Sequence, residues 1–309
     1  MATITAAMVK ELRVKSGAGM MDCKTALNEN DGDIDAAIDW LRTKGLATAA
    51  KKSGRIASEG LVGIAVDGTK GALVEVNSET DFVARNEQFQ GMVTDISTLA
   101  LEADGDNDAL SNMSYPGSDK NVEEYVTAMI ATIGENMSLR RTAAVSVDEG
   151  VVSAYIHNQI APGVGKIGVL VGLKSSGDQD KLNNIGKQVA MHIAATNPLA
   201  LRQDELSADI VEREKAVLME QARDSGKPEN IIEKMIEGRM RKYFEEVVLL
   251  SQTFVIDGEN TVEKALKLAE KDVGAPIEIV KFVRIELGEG IEKKEEDFAA
   301  EVASVASGS

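Results

Sequence analysis

An α+β fold is predicted from three features of the amino-acid sequence: two pairs of short apolar strands, a helix after each pair, and helical periodicity confined to separate stretches. The first pair is Leu61-Val62-Gly63-Ile64-Ala65-Val66 and Ala72-Leu73-Val74-Glu75-Val76, joined by a turn from Asp67 to Gly71. The second pair, Val151 to Ile156 and Ile167 to Leu173, has a longer turn and precedes a helical run from Asp180 to Ala195. Ser58-Glu59-Gly60-Leu61-Val62 is weakly similar to Asp148-Glu149-Gly150-Val151-Val152, which supports a hairpin-plus-helix unit used twice. At roughly 150 residues per domain, 309 residues suffice for two or more modest cores.

The first 50 residues read as three short helices. Thr5 can cap the first, which carries Val9 and Leu12; Gly17 and Gly19 break it, and Met20, Cys23 and Leu27 mark the second. The third starts at Asp33 as N-cap, follows Ile34, Ala37, Ile38 and Leu41 at helical spacing, and is expected to stop at Gly45. Lys51 to Gly54 reads as a linker. Further on, Asp104 to Asp119 is a polar, acidic surface loop before a helix from Val122 to Asn136.

Residues 207 to 245 predict an antiparallel helical hairpin: Ser207 and Asp209 can start one helix, Gly226 ends it, and Pro228 suits the first turn of the next. Its apolar positions, among them Ile210, Val217, Ile231 and Ile236, serve packing within the hairpin or self-association. Strand character returns at Thr253 to Ile256, then a helix from Val262 to Lys271 and a strand from Ile277 to Leu287. A terminal amphipathic helix is expected from 291 to 306, with Ile291, Phe298, Val302 and Val305 on one face.

Composition excludes several functions. A net charge of −17 disfavours nucleic acid, which needs clustered Lys and Arg to displace counterions. The charge is uneven: Lys10, Arg13, Lys15, Lys24, Arg42, Lys44, Lys51, Lys52 and Arg55 make the start mildly basic, and Glu286 to Glu301 is rich in acid. These are either solvated faces or a basic patch that meets an acidic protein. A single cysteine, Cys23, allows no internal disulfide and fits a reducing compartment. With no leader-like start and no long apolar run, a cytoplasmic protein that spans no membrane is expected.

Chemistry is hard to place. His157 and His192 stand far apart with no cysteine near them, so a zinc site of ordinary spacing is absent and a structural role is favoured for both. There is no phosphate-binding loop of the NTPase type. Gly163-Val164-Gly165-Lys166-Ile167-Gly168 fits a dinucleotide fingerprint on paper but lies within a hairpin, where it reads as turn chemistry. No catalytic residue, metal or cofactor is expected.

The most informative run is Glu75-Val76-Asn77-Ser78-Glu79-Thr80-Asp81-Phe82-Val83-Ala84-Arg85-Asn86, which leaves a strand and enters a helix. Ser78 or Thr80 could cap that helix. Phe82 beside Asp81 reads either as a buried phenylalanine next to a cap or as a pair projecting from an element junction. Thr80 to Asn86, together with Val9-Lys10-Glu11-Leu12-Arg13 and Gly17-Ala18-Gly19-Met20-Met21-Asp22-Cys23-Lys24, resembles the two signatures of the elongation factor Ts family. The likeness continues through Val189 to Ala195, Gly226-Lys227-Pro228, Glu237 to Met240 and Gly288 to Lys293, and so covers essentially the whole chain.

The resemblance implies a ubiquitin-associated-like helical domain at 1–54, core subdomains at 55–145 and at 146–203 with 248–288, a helical dimerisation hairpin at 204–247, and a C-terminal module at 289–309. It implies a non-catalytic guanine nucleotide exchange factor for the GTPase elongation factor Tu, in its GDP and nucleotide-free forms. Asp81 and Phe82, within the run Thr80, Asp81, Phe82, Val83, Ala84, Arg85 and Asn86, would enter that partner near its magnesium site. Lys10, Arg13, Met20 and Met21 would face its nucleotide domain, and His192 another domain. A homodimer, or a heterotetramer with the partner, is compatible with the hairpin. Two departures stand out: the turn from His157 to Lys166 is longer than the family's, leaving open whether Gly163, Gly165 or Gly168 touches the partner, and Arg85 stands where Lys is also common. Competing readings are a protein-binding adaptor built on the helical start and a nucleotide-using enzyme built on the glycine run.

Overall fold

The computed structural model describes residues 4–16, 18–223 and 228–292. Three helices open the chain, α1 (Ala6–Ser16), α2 (Met20–Glu29) and α3 (Ile34–Lys52). A hairpin follows, β1 (Glu59–Asp67) and β2 (Lys70–Ser78), then α4 (Glu87–Ala103), α5 (Asn107–Asn112), α6 (Val122–Ile133) and β3 (Met137–Ser146). Next come β4 (Gly150–His157), the short β5 (Val164–Gly165), β6 (Ile167–Lys174) and α7 (Gln179–Thr196). The helical pair α8 (Ala208–Arg223) and α9 (Glu229–Val247) precedes α10 (Val262–Val273) and β7 (Glu278–Glu286).

Two antiparallel sheets, ordered β3-β2-β1-β5 and β4-β6-β7, face each other across Val62, Leu73, Val145, Val152, Leu170 and Ile285. Helices α4 and α6 cover the outer face of one, and α7 and α10 that of the other. The mixed α+β class follows directly from this layering.

Three strands of the first sheet, β3-β2-β1, pair as the three strands of the second do, and β5 adds a fourth to the first. In each, a third strand pairs with the second hairpin strand, and the ladder shifts by one residue: between Glu75 and Val76 in β2, between Gly172 and Leu173 in β6. The unpaired bulge residues are Arg140 and Val280. Gly60 and Gly150 sit alike at the hairpin starts, with φ of 121° and 124°. Close helix-on-strand packing is solved twice with the partners exchanged. A Cβ on Gly63 of β1 would lie 2.2 Å from Ser97 Oγ of α4, while a Cβ on Gly186 of α7 would lie 2.1 Å from Ser153 Oγ of β4.

At the N-terminus, Leu12, Cys23, Ala26, Leu27 and Ala37 form a small core of their own. Asp33 caps α3 as expected, its carboxylate accepting from the N–H groups of Asp35 and Ala36. Gly45, however, does not stop this helix, which runs on to Lys52 and takes in the expected linker residues Lys51 and Lys52. Gly45 is where α3 crosses α6: a Cβ there would come 3.2 Å from Ala131 Cβ. Lys52 then donates to the carbonyl of Gly134 just past α6.

Other expectations shift for physical reasons. Residues 107–112 of the expected loop form α5, because Asp106 caps it and Leu110 is buried. β3 escaped sequence reading, since its Arg140-Arg141 pair and small residues hide the apolar alternation. Thr253 to Ile256 is no strand: Thr253 makes a single bridge to Thr261, and Val255 and Ile256 turn toward Asp257, which accepts from the N–H groups of Glu259 and Asn260. Pro228 precedes α9 rather than sitting in its first turn. Gly17, Gly226 and the expected terminal helix beyond Glu292 lie outside the described residues. Among the described residues, no helix is long and apolar enough to cross a membrane.

A buried carboxylate closes the sandwich. Glu75 is wholly inaccessible and accepts from Arg140 (2.9 Å), Arg141 Nε (2.6 Å), Asn77 Nδ2 (3.0 Å) and the N–H of Gly288 (2.8 Å). Burial would raise its pKa, but the donors from Gly288, Asn77, Arg141 and Arg140 together hold it below the ordinary carboxylate value. The ionised form therefore stabilises the fold above the ordinary carboxylate pKa, and that contribution is lost as pH falls through the lowered folded value. Glu75→Ala, which strands two guanidinium groups, is expected to cost about 3 kcal/mol in urea unfolding at neutral pH, with the gap to wild type narrowing in acid.

Candidate functional site

Strand β2 ends at Ser78, and the chain turns through Glu79 to Asn86 before α4 begins. The turn is a short 3-10 helix at Val83–Arg85 flanked by Phe82 and Asn86. Its inner half packs and bonds within the protein. Val83 and Ala84 are buried in the core under α4, the carbonyl of Phe82 accepts from Arg85 N–H, and that of Ala84 from Gln90 Nε2. The cap of α4 is Asn86, accepting from Gln88 and Phe89 N–H, and neither Ser78 nor Thr80 as the sequence suggested.

The outer half points to solvent. Phe82 is 73% exposed, so the reading of a buried phenylalanine is overturned. Asp81 beside it and Arg85 are exposed too. An exposed phenylalanine forgoes roughly 1.5–3 kcal/mol of burial, energy that becomes available when another surface covers it.

The turn is braced from a distance. Thr80 donates through its N–H to Glu135 Oε2 (2.9 Å) and through Oγ1 to Oε1 (2.6 Å), while its carbonyl accepts from Ser78 Oγ (3.0 Å). Glu79 accepts from Asn136 N–H and pairs with Arg55 at 3.3 Å. Asn136 Nδ2 in turn donates to the carbonyl of Arg55 (2.7 Å). Sequence reasoning missed the roles of Glu79, Glu135 and Asn136, because their partners are distant along the chain: 55 residues for Thr80–Glu135, 57 for Glu79–Asn136 and 24 for Arg55–Glu79. The one local signal is Gly134, whose left-handed conformation ends α6 and aims Glu135 back at the turn.

The other expected contact residues are divided. Lys10, Arg13, Met20 and Met21 are all exposed on α1 and α2, with Met20 at 61% and Met21 at 72%, so their side chains are free to meet another surface. His192 is fully buried and presents no surface as the structure stands. Its Nδ1 accepts from Val255 N–H (3.3 Å) and its Nε2 lies 2.8 Å from Gln252 Oε1, an arrangement that fits the neutral ring. Burial lowers its pKa despite the Gln252 bond. The histidine thus shapes the surface through Val255 and Ile256, which are about half exposed. Gly163, Gly165 and Gly168 lie around β5 and the start of β6, a turn folded back on β1 with no helix opening after it. Among the described residues no cluster of His, Cys, Asp and Glu could hold a metal ion.

Comparison with known proteins is consistent over the chain. The profile of the family "Elongation factor TS" matches residues 79–289. Proteins named elongation factor Ts are 65% identical in Parvibaculum lavamentivorans and 63% in Allorhizobium ampelinum, each over 308 residues and 100% of both chains. The one from Rhizobium meliloti is 61% identical over 306 residues, covering 99% of this chain and 100% of its own. Phe82→Ala is expected to change unfolding free energy by less than about 0.5 kcal/mol, whereas Phe89→Ala, at a fully buried position of α4, should cost about 3–5 kcal/mol in the same denaturation assay.

Proposed function

Because the chain belongs to the elongation factor Ts family, and so is a translation elongation factor of protein biosynthesis, we propose that it is a guanine nucleotide exchange factor for elongation factor Tu. The observation that carries this reading is Phe82, a large apolar side chain exposed to solvent on a turn whose backbone is bonded on either side of it, at Thr80 and at Ala84 to Asn86. Asp81 and Phe82 enter the partner beside its magnesium and phosphate site. There the wedge displaces segments that support bound GDP. Residues 1–54, read as a ubiquitin-associated-like module, dock through Lys10, Arg13, Met20 and Met21. The surface over His192 meets another part of the partner. No bond is made or broken in this protein, and it acts in the cytoplasm.

Linkage sets the energetics. If this protein weakens GDP binding, GDP weakens this protein's binding by the same factor. A bias of roughly 10⁴ between open and closed partner needs about 5.5 kcal/mol of differential binding. One phenylalanine cannot supply that, so the several patches act together. The α8–α9 hairpin leaves Ile210, Val217 and Ile231 between 41% and 46% exposed, and we read it as a self-association face. Val217→Glu is then expected to lower the mass found by sedimentation from dimer to monomer.

Stopped-flow release of fluorescent GDP from elongation factor Tu tests the main reading. The purified chain should accelerate release while neither binding nor hydrolysing GTP by itself. Phe82→Ala should lower the acceleration about thirtyfold, matching about 2 kcal/mol of lost burial. An off-rate that the wild-type protein leaves unchanged would end the proposal.

A further inference from the structure

We infer that Glu135 is a positioning residue for the exchange reaction, holding the Asp81-Phe82 pair in its projecting geometry through Thr80. This rests on the exchange reading above and adds a residue to it. Glu135 lies outside the run that carries the family signature and is separated from Thr80 by 55 residues. Its two carboxylate oxygens take separate donors from one residue, the N–H and the hydroxyl of Thr80, at 2.9 and 2.6 Å. Charge-assisted bonds of this kind are stronger than neutral ones, and two from one carboxylate fix orientation as well as distance. With Ser78 Oγ on the Thr80 carbonyl, all three polar groups of Thr80 are engaged, immediately before Asp81.

The same short segment also reaches the helical start of the chain. Gly134 accepts from Lys52 at the end of α3, and Asn136 binds both Glu79 and the carbonyl of Arg55. Three consecutive residues, 134 to 136, thus join the turn to the module that carries Lys10, Arg13, Met20 and Met21. A wedge that is held in place before contact spends less binding energy on ordering. Removing the clamp should therefore slow the step that ejects nucleotide and leave encounter with the partner unaltered.

The test is GDP release from elongation factor Tu at varied concentrations of this protein. Glu135→Ala should lower the saturating release rate about tenfold with the half-saturating concentration unchanged within about twofold. In the Phe82→Ala background it should cost less than about twofold, because the clamp acts through that side chain. Thr80→Val, which removes the hydroxyl bond and leaves the N–H bond, should reproduce part of the loss, and Thr80→Ser, which keeps the hydroxyl, should retain most of the wild-type rate. Amide hydrogen exchange at Thr80, slow in the wild type, should become fast in Glu135→Ala. A full saturating rate in both Glu135→Ala and Thr80→Val, or losses that add fully to that of Phe82→Ala, would overturn the positioning role while leaving the exchange reading intact. Wild-type protein that does not speed GDP release overturns both.

Discussion

A carboxylate cut off from water can stay ionised only if donors surround it, and Glu75 in the middle of β2 imposes that condition on the whole sandwich. Adjacent residues of a regular strand point to opposite faces, so Arg140 and Arg141 could not both reach one carboxylate from an unbroken β3. The bulge at Arg140 removes the obstacle by setting two residues opposite one. The same arginines then bind the carbonyls of Glu289 and Glu286, and Gly288 adds its N–H, so that the end of β7 is tied to the other sheet. One charge thereby holds together the hairpin, its third strand and the exit of the second sheet.

That anchoring matters for the turn that follows β2. A strand held on both sides and at its centre delivers Ser78, Glu79 and Thr80 to a fixed place, three to five residues beyond the buried carboxylate. From there the chain sorts its side chains sharply: Val83 and Ala84 go into the core under α4, while Asp81 and Phe82 stay outside. Next to that exposed side chain the backbone is tied to the end of α6, Thr80 to Glu135 and Glu79 to Asn136.

The helical start of the chain is joined to this region by small surfaces with specific contacts. Gly45 lets α3 approach Ala131 of α6, Lys52 caps the end of α6, and Arg55 pairs with Glu79 at the turn. Its own core, built on Leu12, Cys23 and Leu27, is small, and it leaves Met20 and Met21 in water.

By itself the sequence determined the local elements: the Asp33 cap, both hairpins, the helix after each and the signature run from Thr80 to Asn86. These are legible because caps, alternation and helical spacing act over a few residues. Only the tertiary structure decided that Gly45 is a crossing point, that β3 is a strand, that His192 is inside and Phe82 outside, and that Glu135 holds Thr80. Each of these depends on groups brought together from distant parts of the chain, where spacing along the sequence carries no signal. Burial and long-range hydrogen bonding then outweigh local propensity.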